Sequence, residues 1–214
     1  MDATTILAAG VASGSILLFA AIGEIFAERS GVLNLGVEGM MLVGAVTGFW
    51  TVQKMPGPGP AVLLVAVLVA ALAAAAMSLI HAFLVITLRA NQTVSGLALT
   101  IFAGATGLST YLGSQGKLGG QPAHHAFRAL DVFGLADVPI VGPIVFHQNA
   151  LVYASWVLVA VVSWYVFRTR PGLELRAVGE SPDAADAVGI SVTRARYVHT
   201  LVGGALAGVG GAFF

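Results

Sequence analysis

The chain has 214 residues, 57% of them hydrophobic and 9% charged, with a formal net charge of zero and no Cys. Soluble domains carry about 25% charged residues, so this composition excludes a soluble globular protein, and the neutral balance offers nothing to nucleic acid. The lack of Cys excludes disulfides, thiol catalysis and Cys-ligated metal.

A membrane-spanning helix needs about 20 apolar residues, and runs of that length recur along the chain. The N-terminus has no basic region ahead of its first apolar run, so it reads as the start of a span and not as a cleaved signal peptide. The first span is expected over Thr5–Ala27. A break rich in turn and cap residues follows, Glu28-Arg29-Ser30-Gly31-Val32-Leu33-Asn34. The second span, Leu35–Val52, stops before Met55-Pro56-Gly57-Pro58-Gly59-Pro60, which cannot continue a helix. The third, Ala61–Leu88, holds no charge and is long enough to cross with tilt. The fourth, Asn91–Leu112, opens with the polar turn Asn91-Gln92-Thr93-Val94-Ser95-Gly96. Gly113–Asn149 reads as an irregular extracytoplasmic loop with a short helix. A fifth span covers Ala150–Phe167. The Arg-rich segment Arg168–Arg196 precedes a sixth span, which starts near Tyr197 and is still apolar at Phe214. The expectation is an all-α, polytopic membrane protein with about six spans in one transmembrane domain over 1–214. The apolar end also leads one to expect a chain truncated at its C-terminus.

Short-loop Lys and Arg residues mark the cytoplasmic side. With the 168–196 loop inside, Arg29 and Arg89 also fall inside, while Lys54, Lys117 and Arg128 fall outside: seven basic residues against three. Within the Arg-rich loop, Leu173–Val178 can form a short helix. Ser181-Pro182 reads as an N-cap followed by Pro at the first helical position. Asp183 in the first turn suits the helix dipole, and Gly189 stands where a left-handed glycine would end the helix. The predicted helix, Pro182–Val188, presents Ala184, Ala185, Ala187 and Val188. A solvated connector is one reading; a peg for a partner's groove is the other.

At Gly172–Val192, GLELRAVGESPDAADAVGISV, the sequence resembles the cytoplasmic coupling segment of ABC-importer permeases of the branched-chain amino acid/ribose type. Gly23–Gly44, GEIFAERSGVLNLGVEGMMLVG, and Arg89–Leu99, RANQTVSGLAL, look like the simple-sugar/nucleoside branch, and Gly203–Gly208, GGALAG, agrees. The resemblance implies a transport subunit and not an enzyme. Such a subunit would work by alternating access with an ABC ATPase subunit, a second homologous or identical permease and an extracytoplasmic substrate-binding protein or lipoprotein, in the bacterial plasma (inner) membrane. Its coupling contacts would come from Glu174, Arg176, Ser181, Pro182, Asp183, Ala184, Ala185, Asp186 and Gly189. Such permeases carry further spans after this segment. No G-x-x-x-x-G-K-[ST] phosphate loop is present, so ATP would be hydrolysed on another chain. No H-E-x-x-H or G-x-S-x-G motif supports an intramembrane enzyme.

The candidate substrate pathway comprises Asn34, Glu38, Asn91, Gln92, Thr93 and Ser95. Ionisable groups at membrane depth usually face a cavity or a partner. Glu38 could accept hydrogen bonds from substrate hydroxyls, or pair with backbone at the helix break. The amides and hydroxyls that open the fourth span could line a cavity or cap the helix. Glu24 and Glu28 lie one turn apart on one face, with Glu28 and Arg29 reading as interfacial. His81, His124, His125 and His147 read as bonded or solvated residues, so neither metal nor cofactor is expected. The runs Gly10-x-x-x-Gly14, Gly44-x-x-x-Gly48 and Gly204-x-x-x-Gly208-x-x-x-Ala212 predict close helix packing. A secondary transporter of a small polar solute is the alternative, disfavoured by the nearly uncharged interiors of spans three to five.

Overall fold

The computed structural model describes residues 3–104, 107–115, 118, 123–132 and 134–213. Met1, Asp2, Lys117 and Phe214, which bear on the chain start, the outer charge count and the apolar end, lie outside them. Helices dominate: α1 (Ala3–Arg29), α2 (Val37–Lys54), α3 (Gly59–Ala82), α4 (Gln92–Ala103), α5 (Leu108–Gln115), α6 (Ala150–Arg168), α7 (Arg170–Glu180), α8 (Pro182–Ala187) and α9 (Val192–Phe213). This is a polytopic helical membrane fold. Among the described residues, Ala3–Arg29, Gly59–Thr87, Gln92–Gln115 and Ala150–Arg168 are long and apolar enough to cross a membrane.

The helices α2 and α9 are 18 and 22 residues long but less apolar, for a structural reason. They pack on protein. The helix α9 is the axis of the bundle and touches α1, α2 and α3. Gly203 faces Gly23, and Gly210 lies on Ile16 and Phe19, so α9 runs antiparallel to α1. Gly44 abuts Gly208 and Gly48 abuts Ala212, so α2 and α9 run parallel. Gly204 meets Ser78, and Gly208 meets Ala70 and Ala74, so α3 is antiparallel. A Cβ on Gly208 would stand 2.4 Å from the Ala70 carbonyl oxygen, and one on Gly211 would stand 2.0 Å from that of Met41. Small residues let backbones meet where lipid offers no hydrophobic drive between helices. By contrast, Leu64, Leu68 and Leu72 of α3 are exposed along its outer face.

Two of the three predicted small-residue faces therefore mesh with each other. The third does not: a Cβ on Gly10 or Gly14 would meet nothing within 4 Å in this chain. A core of Met40, Val43, Met77, Leu99 and Ala207 joins α2, α3, α4 and α9. Another, of Ile22, Phe26, Val162, Val166 and Leu175, ties α1 and α6 to α7.

Three departures from the expected elements have local causes. The third span begins at Gly59, with Pro60 in the first turn, and widens into a π-helical turn over Phe83–Thr87, where Leu88 N–H bonds the Phe83 carbonyl. Arg89 then turns the chain with φ of 54°. The fourth span is not continuous. α4 ends at Ala103, Gly104 is extended, and helix resumes at Leu108. The outer segment contains a small antiparallel pair, β1 (Ala129–Asp131) with β2 (His147–Asn149), which the sequence pattern does not show. The Gln148 amide donates to Ala8 O at 3.2 Å and to Ile144 O at 3.0 Å, fastening this pair to the start of α1.

Gly204→Val and Gly208→Val should each lower the thermal midpoint of the detergent-purified protein, with an overpacking cost of about 1–3 kcal/mol or more. Gly14→Ala should not lower the midpoint, since its methyl meets nothing and Ala favours a helix interior. Thermal unfolding of the three variants beside the parent checks this.

Candidate functional site

Between α1 and α2 the chain leaves helical conformation from Ser30 to Gly36, beside buried apolar helices. Irregular backbone is tolerated at membrane depth where it is buried in protein or lines a water-filled cavity. Here neighbouring helices supply partners for its polar groups. Arg196 Nε of α9 donates to Ser30 O at 3.2 Å. Gln92 of α4 takes the Leu33 N–H on Oε1 at 2.7 Å and reaches Gly31 O with its amide nitrogen at 3.5 Å. His81 Nε2 of α3 donates to Leu33 O at 3.1 Å. Asn34 N–H donates to Glu24 Oε1 of α1 at 3.0 Å. Thr100 Oγ1 donates to Leu35 O at 2.8 Å, and Gly36 N–H donates to Asn34 Oδ1 at 3.1 Å.

The His81 tautomer is set by these partners. A carbonyl only accepts, so Nε2 carries the proton. A neutral ring then presents Nδ1 as acceptor for the Ser95 hydroxyl, 3.0 Å away. Both ring nitrogens of this fully buried residue are thereby satisfied.

Beside the pinned loop lies a groove of about 310 Å³. Its polar wall is Glu24, Glu28, Asn34 and Glu38; Ala20 and Leu33 are part of the apolar wall. Glu24 Oε2 is buried and has no hydrogen-bond partner among the described residues. Such a surface accepts hydrogen bonds and suits a ligand rich in O–H or N–H groups.

At the same end of the bundle, α7, α8 and the start of α9 build a second feature. Thr169 caps α7 through its hydroxyl, which accepts from Gly172 N–H at 3.1 Å. α7 buries Leu175 and Val178 fully. Arg176 lies over the Phe167 ring at 5.6 Å, and its Nε has no hydrogen-bond partner among the described residues. Helix α8 ends at Ala187, one residue sooner than expected, and Gly189 has φ of 88°. The Ser181 side chain makes no cap bond; its carbonyl instead accepts from Ala185 N–H at 3.0 Å. Ala185 is the residue that α8 buries, while Asp183, Ala184, Asp186, Ala187 and Val188 are exposed. The outward face is thus small and acidic, with Val188 at its edge, and not simply small and apolar. A groove of about 620 Å³ runs alongside, bounded by Tyr165, Glu174, Val188, Arg194 and His199.

Comparison with known proteins gives this geometry a family. The family model described as "Branched-chain amino acid transport system / permease component" matches residues 6–214. The chain belongs to that permease family. It is 37% identical over 204 residues to the guanosine ABC transporter permease protein NupQ of Bacillus subtilis, covering 92% of this chain and 63% of that protein. It is 38% identical over 202 residues to the nucleoside ABC transporter permease protein NupC of Lactococcus lactis subsp. cremoris, with the same coverage of 92% and 63%. It is 31% identical over 208 residues to the glucose ABC transporter permease protein TsgB13 of Haloferax volcanii, covering 91% of this chain and 53% of that protein. The chain therefore spans less than two thirds of the length of these relatives. No solved structure gives a significant match.

Within this permease, the structure gathers some of the sequence-derived candidates and separates others. Asn34 and Glu38 share the groove. Gln92 and Ser95 lie behind the loop and hold it, directly or through His81. Asn91 caps α4, accepting from Val94 N–H at 3.1 Å. Thr93 is exposed. Glu24 and Glu28 of the groove, and His81, Thr100 and Arg196 that hold the loop, lie outside the candidate set. The Glu24–Glu28 spacing is visible in sequence, but the depth of Glu24 and its bond to Asn34 are not.

Gln92→Leu should destabilise the permease, because it leaves the Leu33 N–H unpaired at a cost of about 1–3 kcal/mol. His81→Leu should do the same through Leu33 O and Ser95. Thr93→Ala should fall within about 0.5 kcal/mol of the parent. Thermal midpoints in one detergent distinguish the three.

Proposed function

We propose that this chain is a transmembrane permease subunit of an ATP-binding-cassette importer, moving a simple sugar or nucleoside by alternating access driven by a separate ATPase. Helix α8 carries the proposal. It is a six-residue helix with one buried residue, held between α7 and α9 at the Arg-rich end. A plain connector has no use for such an element. An ATPase groove that moves on nucleotide binding does. Glu174, Arg176, Ser181, Pro182, Asp183, Ala184, Ala185, Asp186 and Gly189 belong to this coupling surface: Ala185 seats the helix, and Asp183 and Asp186 give its outward face negative charge.

The substrate class fits the groove beside Ser30–Gly36. Carboxylates and amide groups recognise hydroxyl-rich or amide-bearing solutes by hydrogen bonding. The relatives named for guanosine, nucleosides and glucose handle solutes of that kind. Asn34 and Glu38 are assigned to the pathway with Glu24. Asn91, Gln92, Thr93 and Ser95 act at its margin, Gln92 and Ser95 by fixing the wall. The Arg-rich end faces the cytoplasm of a bacterial cell and the β1–β2 end faces an extracytoplasmic binding protein. A second permease completes the path.

Ala185→Pro removes the bond to Ser181 O and costs about 3 kcal/mol in a helix interior, enough to break a six-residue helix. In vesicles holding the full assembly, ATP-driven uptake of radiolabelled guanosine or glucose should fall to background in this variant while the protein still inserts. Uptake that persists without ATP and collapses with an ionophore would contradict the proposal.

A further inference from the structure

The two arms that carry α8 meet the bundle at the same turn. On the α7 side, a Cβ on Gly179 would stand 2.3 Å from Arg29 O, so helix backbone touches helix end without a side chain between. On the α9 side, Arg196 Nε donates to Ser30 O at 3.2 Å. Its terminal nitrogen lies 3.3 Å from where a Cβ of Gly31 would be, and the Gly179 Cα lies 3.7 Å from that point. Gly31 has φ of 83°, a conformation that side chains disfavour. Residues 29–31 are thus gripped from both sides by the elements flanking α8.

The pinned loop continues directly from the gripped residues. Ser30 leads within four residues to Leu33 and Asn34, which form part of the groove wall. Their backbone is bonded to Glu24, His81 and Gln92. A displacement at residues 29–31 therefore has no slack segment in which to dissipate before it reaches the groove. Beyond the grip, Tyr197 bonds Thr87, and Ser78 Oγ donates to Thr200 O at 2.7 Å, so the next turn of α9 is fixed to α3.

We propose that Arg196 is a positioning residue for transport: through Ser30 it conveys movement of α8 to the Ser30–Gly36 loop and so to the Glu24–Asn34 groove. This rests on the reading of the chain as a permease driven at α8. Arg196 need not touch substrate. Its guanidinium donates to the Ser30 carbonyl, which has no other hydrogen bond among the described residues, and a Lys at the same place could keep one such bond.

The absence of Cys makes the loop addressable. Leu35 is 40% exposed, so Leu35→Cys can be alkylated with N-ethylmaleimide in the assembled transporter, with and without ATP, magnesium and vanadate. With Arg196 present, trapping the nucleotide should change the alkylation rate severalfold. In Arg196→Ala the rate should become independent of nucleotide while ATP hydrolysis continues and uptake of labelled guanosine or glucose is lost; Arg196→Lys should restore part of the nucleotide response. A full nucleotide response in Arg196→Ala overturns the proposal, and so does a rate that never responds in an assembly that takes up substrate. If Arg196→Ala does not assemble, Arg196→Met decides, since it keeps the length of the side chain but cannot donate to Ser30 O: loss of the nucleotide response supports the proposal and a parental response overturns it. Failure of any ATPase to bind the chain through α8 contradicts the permease reading itself, and the inference falls with it.

Discussion

Seven residues of non-helical backbone, Ser30–Gly36, sit among apolar helices, and several of their N–H and C=O groups are buried away from solvent. Each unpaired group in such a place costs several kcal/mol. The bundle answers with side chains. Glu24, His81, Gln92, Thr100 and Arg196 come from α1, α3, α4 and α9, and each binds one or two atoms of the loop. The loop therefore reports the relative position of four helices at once. Any rearrangement of those helices must either carry it along or break a bond in an apolar setting.

The glycines of α9 serve the same constraint from the other side. With Gly203, Gly204, Gly208 and Gly211 pressed against the backbones of α1, α3 and α2, α9 passes through the bundle as a close-fitting axis. Its first turns hold Arg196 against Ser30, and its preceding turn carries α8. The exposed helix α8 and the segment beside the carboxylate groove are joined by one helix and one hydrogen bond, with Gly179 supporting the opposite arm.

Much of this was legible in the chain. Apolar runs located α1, α3 and α6 within a few residues, because lipid demands length and apolarity; the less apolar α2 was also found, while α9 starts at Val192, ahead of the expected Tyr197. Pro182 in the first turn and Gly189 in the left-handed region located α8, because both act locally. Partnership across the fold was not legible. Nothing near His81 announces Leu33, and nothing in Gly10-x-x-x-Gly14 distinguishes it from Gly44-x-x-x-Gly48, which meets α9. Asn34, Gln92 and Ser95 were visible as polar residues in apolar surroundings. Their division between a groove wall and a set of pins depends on which way each side chain faces, and helix packing sets that.

The rigidity of Ser30–Gly36 is the point on which the account turns, and hydrogen exchange measures it directly. In lipid nanodiscs, a peptide covering residues 30–36 should exchange as slowly as the adjoining ends of α1 and α2, since Leu33, Asn34 and Gly36 all donate their N–H groups to side chains. Gln92→Leu should release the Leu33 amide first. Exchange of the parental peptide as fast as that of an exposed loop would contradict the account, because a slack loop could neither hold the groove wall nor carry movement to it.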